Sequence, residues 1–299
     1  MNSSARTSLV TIVVAVAVGA LVAAAGSVGG SVVAGVPVFA LAVAGAFAIQ
    51  IIAFVPAVIG RTERFFDLTG SLTFIIVSVG VLGASGAPDA RGWILAAMVM
   101  LWAARLGVFL FLRAHRAGGD SRFDRIRSAP LPFLRVWVMQ GLWVSITASA
   151  AWIAMGARAE SREPIGWLSI VGIAFWAIGM VVEIVADVQK SAFRADPRNA
   201  GRFIDTGLWS RSRHPNYAGE ILLWIGVTLV AIPVLSGWQW VGILSPVFVT
   251  LLLTRVSGIP LLEAKAEKTW GGQGDYEAYK LRTPVLIPRF GRNRSRAEA

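Results

Sequence analysis

Apolar residues in this chain run in long blocks, separated by shorter stretches that hold most of the charge. A helix needs about 20 mostly apolar residues to cross a bilayer. Eight blocks approach that length: Leu9–Gly26, Val32–Ile59, Phe66–Gly83, Gly92–Leu112, Leu134–Met155, Ile165–Ala186, Glu220–Leu235 and Val241–Val256. The seventh is short and is expected to begin somewhat earlier. The pattern predicts an all-α fold, a polytopic membrane helix bundle of about eight (seven to eight) transmembrane helices. The first two blocks are rich in Ala, Gly and Val and carry almost no polar side chains, a composition that lets helices approach closely. No internal repeat is visible. Residues 1–60 carry no recognisable motif, and the chemistry-bearing residues fall within 61–299.

Charge fixes an orientation for these spans. Of the 28 Lys and Arg residues, 24 fall in alternate connecting segments: the N-terminus, 60–65, 113–135, 187–219 and 255–299. Three, Arg91, Arg158 and Arg162, fall in the opposite loops, and Arg105 lies inside the fourth span. Basic residues accumulate on the cytoplasmic side. The expectation is therefore a multi-pass protein of the cell (inner) membrane with both termini cytoplasmic. Arg6 precedes an apolar run, as in a signal peptide, but the alternation of charge requires that run as a retained span. The Arg-rich stretch Arg289–Ala299 reads as a tail near lipid headgroups.

Composition narrows the chemistry. Hydrophobic residues make up 56% of the chain and charged residues only 15%, with a mean hydropathy of +0.65, which excludes an ordinary soluble enzyme and a disordered chain. Absence of cysteine removes disulfides, thiol nucleophiles and Cys-ligated metals. With two histidines far apart in sequence, no metal site is expected. The net charge of +11 suits anionic lipid or a polyanionic small molecule; nucleic acid is not an expected partner.

Ionisable groups in or at the edge of a bilayer are costly, so each is a functional candidate. Glu183 and Asp187 stand four apart, on one helix face, and Arg194 follows two turns later. Such a trio also serves as an ion pair at a helix end. The segment Gly207-Leu208-Trp209-Ser210-Arg211-Ser212-Arg213-His214-Pro215-Asn216-Tyr217-Ala218-Gly219-Glu220 is denser. Pro215 suits a first helical position, and His214 before it is biased to an extended backbone. A helix beginning there would turn its free N–H groups toward an anion, with Arg211 and Arg213 just ahead of it. Asn216 and Glu220 share a face, with Tyr217 beside them. A third cluster runs from Ser257-Gly258-Ile259-Pro260-Leu261-Leu262-Glu263 through Trp270, Tyr276, Tyr279, Lys280 and Arg282. All three tyrosines lie in or after the Arg-His-Pro segment. The run Gly271-Gly272-Gln273-Gly274 lacks the strand and spacing of a dinucleotide fingerprint and reads as a turn.

These elements resemble the membrane-embedded steroid 5-alpha-reductase superfamily, and within it the bacterial branch described only as a domain of unknown function. The resemblance rests on Glu183-x-x-x-Asp187 with Arg194, Gly207-Leu208-Trp209, Arg213-His214-Pro215-Asn216-Tyr217-x-Gly219-Glu220, Ser257–Glu263 and Tyr279-Lys280-x-Arg282-Thr283, and it covers roughly residues 93–290. It implies a catalytic domain over 61–299 holding NADPH on its cytoplasmic side. It further implies that Glu183, Asp187, Arg194, Arg213, His214, Asn216, Tyr217, Glu220, Glu263, Tyr279 and Arg282 contact the cofactor. Arg105 and Arg116 would match arginines near its phosphates. Where the steroid enzymes place a substrate-binding tyrosine, this chain has Trp102, whose indole donates a hydrogen bond but is no comparable acid. Asp67 is the nearest counterpart of the family's second polarising carboxylate.

The expected reaction is hydride transfer from NADPH to an activated C=C bond of a lipophilic, steroid- or isoprenoid-like substrate. Asp67, Trp102 and Tyr217 are the candidate catalytic residues. An alternative is a membrane methyltransferase resembling the isoprenylcysteine carboxyl methyltransferases, which share an Arg-His-Pro-x-Tyr-x-Gly segment. Abundant arginine suits a phosphorylated dinucleotide better than the sulfonium of S-adenosylmethionine. A second alternative is a non-enzymatic transporter or structural membrane protein; polar clusters at one face and the lack of a repeat argue against it.

Overall fold

The computed structural model describes residues 3–117, 123–124 and 126–287, with side chains of the fourth helix described through Leu112. The helices are α1 (Ser3–Ser27), α2 (Val38–Ile59), α3 (Phe66–Ala84), α4 (Ala90–Ala117), α5 (Pro130–Thr147), α6 (Ser149–Met155), α7 (Trp167–Ala195), α8 (Pro215–Ala231), α9 (Leu244–Leu251), α10 (Ile259–Trp270) and α11 (Gly274–Arg282). The one sheet among the described residues is a hairpin of β1 (Val32–Val33) and β2 (Val36–Pro37). Seven segments are long and apolar enough to cross a membrane, and an eighth arises if α5 and α6, bent by 58°, form one broken span. The fold is an all-α polytopic membrane bundle.

Two boundaries depart from the hydropathy reading. The apolar run from Val32 is a hairpin before it is a helix. Ala34 and Gly35 have positive φ, as a two-residue hairpin turn requires, and Pro37 caps the start of α2. Hydropathy alone does not distinguish Val-Val in a strand from Val-Val in a span. Arg91, expected in a loop, sits in the first turn of α4 and is 1% exposed. Its guanidinium donates to Ser169 Oγ at 2.8 Å, to the Glu163 and Pro164 carbonyls at 3.1 and 2.9 Å, and to the Val230 carbonyl. Those carbonyls lie at or beyond helix ends and have lost their helical partners; the planar donor fork of arginine collects them.

The chain divides into two compact units, residues up to Ile173 with Val227–Phe248, and Ala174–Gly226 with the chain from Val249 onward. In the first unit, α1, α2 and α5 meet through small residues. Ala15, Ala42 and Ala46 are buried, and a Cβ on Gly141 would stand 3.2 Å from the Phe47 ring. Two polar pairs lie in this core: Gln50 Nε2 donates to Thr73 Oγ1 at 2.8 Å, and Trp152 Nε1 to Ser78 Oγ at 2.9 Å. Pairing of this kind is what apolar surroundings demand of a buried amide or indole.

In the second unit, α7 and α8 cross backbone to backbone. A Cβ on Gly179 would lie 2.5 Å from the Gly219 carbonyl oxygen, and one on Gly219 would lie 2.6 Å from the Gly179 carbonyl oxygen. Only hydrogen at both positions allows this approach. It aligns the Glu183/Asp187 stretch of α7 with the Asn216/Glu220 turn of α8. The last span is interrupted by a π-helical turn over Leu252–Val256 and a bend at Ser257-Gly258 before α10 starts at Ile259-Pro260. A Cβ on Gly258 would sit 2.9 Å from Tyr217 Cε2, so the bend packs on that ring.

Candidate functional site

The site is organised by the segment ahead of α8. Gly207, at φ +61°, allows the chain to turn beneath Gln189, whose Oε1 accepts from Leu208 N at 2.9 Å. This seats Trp209, whose Nε1 donates to the Ala186 carbonyl at 3.0 Å, while Lys190 Nζ stands 4.3 Å over its ring. The chain then runs against its own C-terminal stretch. Arg213 N donates to the Pro284 carbonyl at 2.9 Å, Ser212 Oγ to the Leu286 carbonyl at 2.8 Å, and Tyr279 OH to the Trp209 carbonyl at 2.8 Å. Pro215 begins α8 as the sequence predicted.

Glu263 of α10 is the charged hub. Its Oε2 accepts from Arg213 Nη1 at 2.6 Å and its Oε1 lies 2.7 Å from His214 Nε2. The carboxylate requires a hydrogen on Nε2, which leaves Nδ1 as the second functional atom of the ring. Both His214 Nδ1 and Arg213 Nε are buried, with no hydrogen-bond partner among the described residues. The His214 ring stacks on Tyr217 at 10° with centroids 5.7 Å apart.

Beside this hub lies a cavity of about 180 Å³. Arg194, Arg213, His214, Glu263 and Tyr279 line it together with Lys190, Arg202 and Lys265. Its aromatic wall is Phe203, Trp209, Trp270 and Tyr276; Phe203 and Tyr276 meet edge to face with centroids 5.2 Å apart. The lining thus holds five lysine or arginine cations and one carboxylate. Lys190, Arg202, Lys265 and the Phe203 ring escaped the sequence reading. For Lys190 a signal was present: it lies three residues after Asp187 and four before Arg194, on their helix face. Arg202 and Phe203 carry no such periodicity, because they sit in an irregular turn tied by Trp270 Nε1 to the Gly201 carbonyl at 2.6 Å.

The remaining candidates fall in several places. Asn216 Nδ2 donates to Asp187 Oδ1 at 3.3 Å, joining α8 to α7. Glu183 is buried against Gly219, adjacent to Glu220 in sequence. Arg282 is exposed and pairs with Asp205 at 3.0 Å. Asp67, Trp102 and Arg105 belong to the other unit: Asp67 in the first turn of α3, Trp102 buried edge-on to Phe74 at 5.2 Å, and Arg105 over the Phe109 ring at 5.4 Å. The Arg116 side chain lies outside the described residues.

Electrostatics around α11 follow from burial and pairing. Burial lifts the Tyr279 and Tyr276 phenols above their ordinary values. Glu267 at 2.7 Å and Glu277 at 2.9 Å push Lys280 up to about 12. Tyr279 is thus a fixed neutral donor, and its raised value makes a prediction with a definite sign. The neutral phenol is favoured in the fold, so its contribution is complete below about pH 10, the unperturbed value, and declines as pH rises further. Tyr279→Phe is expected to cost about 1 kcal/mol at neutral pH and to flatten the alkaline decline in stability. Thermal melts of both proteins between neutral and strongly alkaline pH check this; parallel curves would contradict it.

A polytopic membrane protein with a basic, aromatic-walled cavity beside an Arg-His-Pro helix start is the class defined so far. The chain belongs to the family described as protein of unknown function DUF1295, whose model matches residues 53–283. It is 28% identical over 206 residues to an uncharacterized protein of Schizosaccharomyces pombe, covering 58% of each chain. It is 26% identical over 129 residues to steroid 5-alpha-reductase DET2 of Gossypium hirsutum, covering 43% of this chain and 45% of that one. A 60-residue stretch, 20% of this chain and 21% of the relative, is 33% identical to the probable O-methyltransferase ustE of Ustilaginoidea virens. The chain therefore spans no more than 58% of the length of these relatives. No solved structure matches. The match to the cotton protein agrees with the superfamily resemblance carried by the motifs.

Proposed function

We propose that this protein is an integral-membrane, NADPH-dependent reductase of an activated C=C bond in a lipophilic substrate, steroid- or isoprenoid-like in character. In this reading residues 61–299 form the catalytic domain, belonging to the bacterial branch of the superfamily, and residues 1–60 add membrane helices. The cofactor side faces the cytoplasm, and the protein resides in the inner membrane with both termini inside.

The observation that supports the reading is the cavity lined by five basic side chains, Lys190, Arg194, Arg202, Arg213 and Lys265, and one carboxylate, Glu263. Such an excess of fixed donors suits a polyanion. The buried, unpartnered Arg213 Nε and His214 Nδ1 fit the same reading, since a ligand oxygen would satisfy them. Aromatic faces from Phe203, Trp270 and Tyr276 suit a flat heterocycle. NADPH would be held by these cations, by Arg105 and Arg116 near its phosphates, and by Glu183, Asp187, Asn216, Tyr217, Glu220, Tyr279 and Arg282; bound there, it supplies a hydride.

The chain's own residues do the rest. Glu263 fixes the Arg213 and His214 side chains so that their orientation is set before ligand arrives. The Asn216–Asp187 bond holds the start of α8 to α7. A hydrogen-bond donor must stabilise the oxygen of the reacting enone as charge develops on it. Tyr217 and Asp67 are the proposed donors, Asp67 in its protonated form, with Trp102 in place of the family tyrosine.

The match to a probable O-methyltransferase favours a second reading, a methyltransferase. Cation excess argues for the reductase, because S-adenosylmethionine itself carries a sulfonium. Binding separates the two. Purified protein is expected to quench and shift NADPH fluorescence and to leave S-adenosylmethionine unbound. Asn216→Ala, Glu220→Ala and Arg194→Ala are each expected to weaken NADPH binding by roughly tenfold while melting close to wild type. Equal binding by all three variants would refute the site, and adenosylmethionine binding alone would install the second reading.

A further inference from the structure

A second concave site lies in the other unit, at the turn joining the spans α2 and α3. It is lined by Gly60, Arg61, Thr62, Glu63, Arg64, Phe65 and, from ahead of α5, Arg127, and encloses about 490 Å³. Connectivity places it at a membrane face, since both adjoining helices are candidate spans.

The backbone there is set by the end of α2. Arg61 N donates to the Val58 carbonyl at 3.4 Å and Thr62 N to the Ala57 carbonyl at 3.0 Å. This pair of bonds is the Schellman arrangement, in which the residue just past the helix takes a left-handed conformation, normally as glycine. Here that residue is Arg61, at φ +45°, although Gly60 stands immediately before it. An arginine bears steric strain that glycine would avoid. Strain retained at a non-glycine position calls for a compensating role.

Charge and surroundings indicate the role. Three guanidinium groups, of Arg61, Arg64 and Arg127, border the concavity. Among the described residues Glu63 is the carboxylate in the lining, buried and 3.4 Å from Arg127 Nη1; Arg127 Nη2 also lies 3.4 Å from the exposed Asp124. Among the described residues, three guanidinium groups and one carboxylate line the concavity, an excess of positive charge that an anionic phosphodiester would offset. Against the turn lies an aromatic cluster of Phe54, Phe65, Phe66, Phe123, Phe133 and Trp137. Phe65 lines the concavity and also packs on Trp137 with centroids 5.9 Å apart. This buried core holds the turn in place, and the basic side chains on it stand where anionic headgroups lie.

We propose that this concavity binds the phosphodiester of an anionic phospholipid, with Arg61, Arg64 and Arg127 as its ligands. The site is independent of the nucleotide-binding reading, since none of its residues lines the cavity described above. The test is melting of the purified full-length protein in neutral detergent with added phosphatidylglycerol, phosphatidylcholine or soluble glycerol 3-phosphate at matched concentration. Phosphatidylglycerol is expected to raise Tm in a saturable way, and the other two are not. Arg64→Gln and Arg127→Gln are expected to weaken the apparent phosphatidylglycerol affinity roughly three- to tenfold each. Arg61→Gly guards against misfolding as an explanation. It relieves the left-handed strain, so it is expected to melt no lower than wild type without lipid, yet to lose affinity to the same degree. An undiminished response in Arg61→Gly overturns the proposal. So does an equal response to phosphatidylcholine, and an equal response to glycerol 3-phosphate shows a free phosphate ester in place of a lipid and overturns it as well.

Discussion

Substituting valine for Gly219 is expected to abolish folding of the second unit, at a cost of roughly 4 kcal/mol or more. The atoms met by an added Cβ are backbone: the Gly179 carbonyl oxygen at 2.6 Å and Glu183 N at 2.8 Å. No rotamer change relieves a clash with main chain, so α7 and α8 would have to separate. Separation would break the Asn216–Asp187 bond and draw Glu183 away from its neighbours on α8. Gly219→Ala meets the same atoms with a smaller group and is expected to fall between the two. Yield of monodisperse protein and its melting temperature check the prediction. A valine variant that purifies and melts like wild type would mean that the helices do not cross at these glycines.

Glu263→Ala should have the next largest effect, a loss of about 2–4 kcal/mol. Removing one partner of a buried ionic network is costly because the others stay behind. Arg213 and His214, with side chains 14% and 6% exposed, would both lose their acceptor. The value is set below that of a fully buried pair because Glu263 keeps 29% of its side-chain exposure. Glu263→Gln retains one acceptor oxygen but turns an amide donor toward another donor, and should recover only part of the loss. Melting of the two variants, with proteolytic sensitivity near Pro284–Leu286 as a local readout, tests this. A Glu263→Ala protein as stable as wild type would show that the network holds nothing in place.

The parts of this fold that hydropathy made legible are those the bilayer dictates. Long apolar runs became helices, and Pro215 began the helix its ring geometry favours. Motif spacing also marked Arg194, Arg213, His214, Glu263 and Tyr279, which line one cavity, and Asn216 and Asp187, which bond to each other. What escaped depends on contacts distant in sequence. The α5–α6 bend falls at Ala148, between small and β-branched residues with no proline or glycine to announce it. Arg91 reads as a loop cation until the carbonyls of Glu163, Pro164 and Val230 and the Ser169 hydroxyl are seen around it. Arg202 and Lys265 join the cavity only because an irregular turn and α10 converge on it, which no local periodicity records.

The tie between the Arg-His-Pro segment and the C-terminal stretch has a consequence for biosynthesis. Tyr279 follows Trp209, its hydrogen-bond acceptor, by 70 positions, and Leu286 follows Ser212 by 74. A nascent chain therefore has the segment ahead of α8 made well before the stretch that binds it. Both bonds wait on residues from Tyr279 onward, so translation stalled ahead of Tyr279 would leave the Arg-His-Pro segment without these two partners.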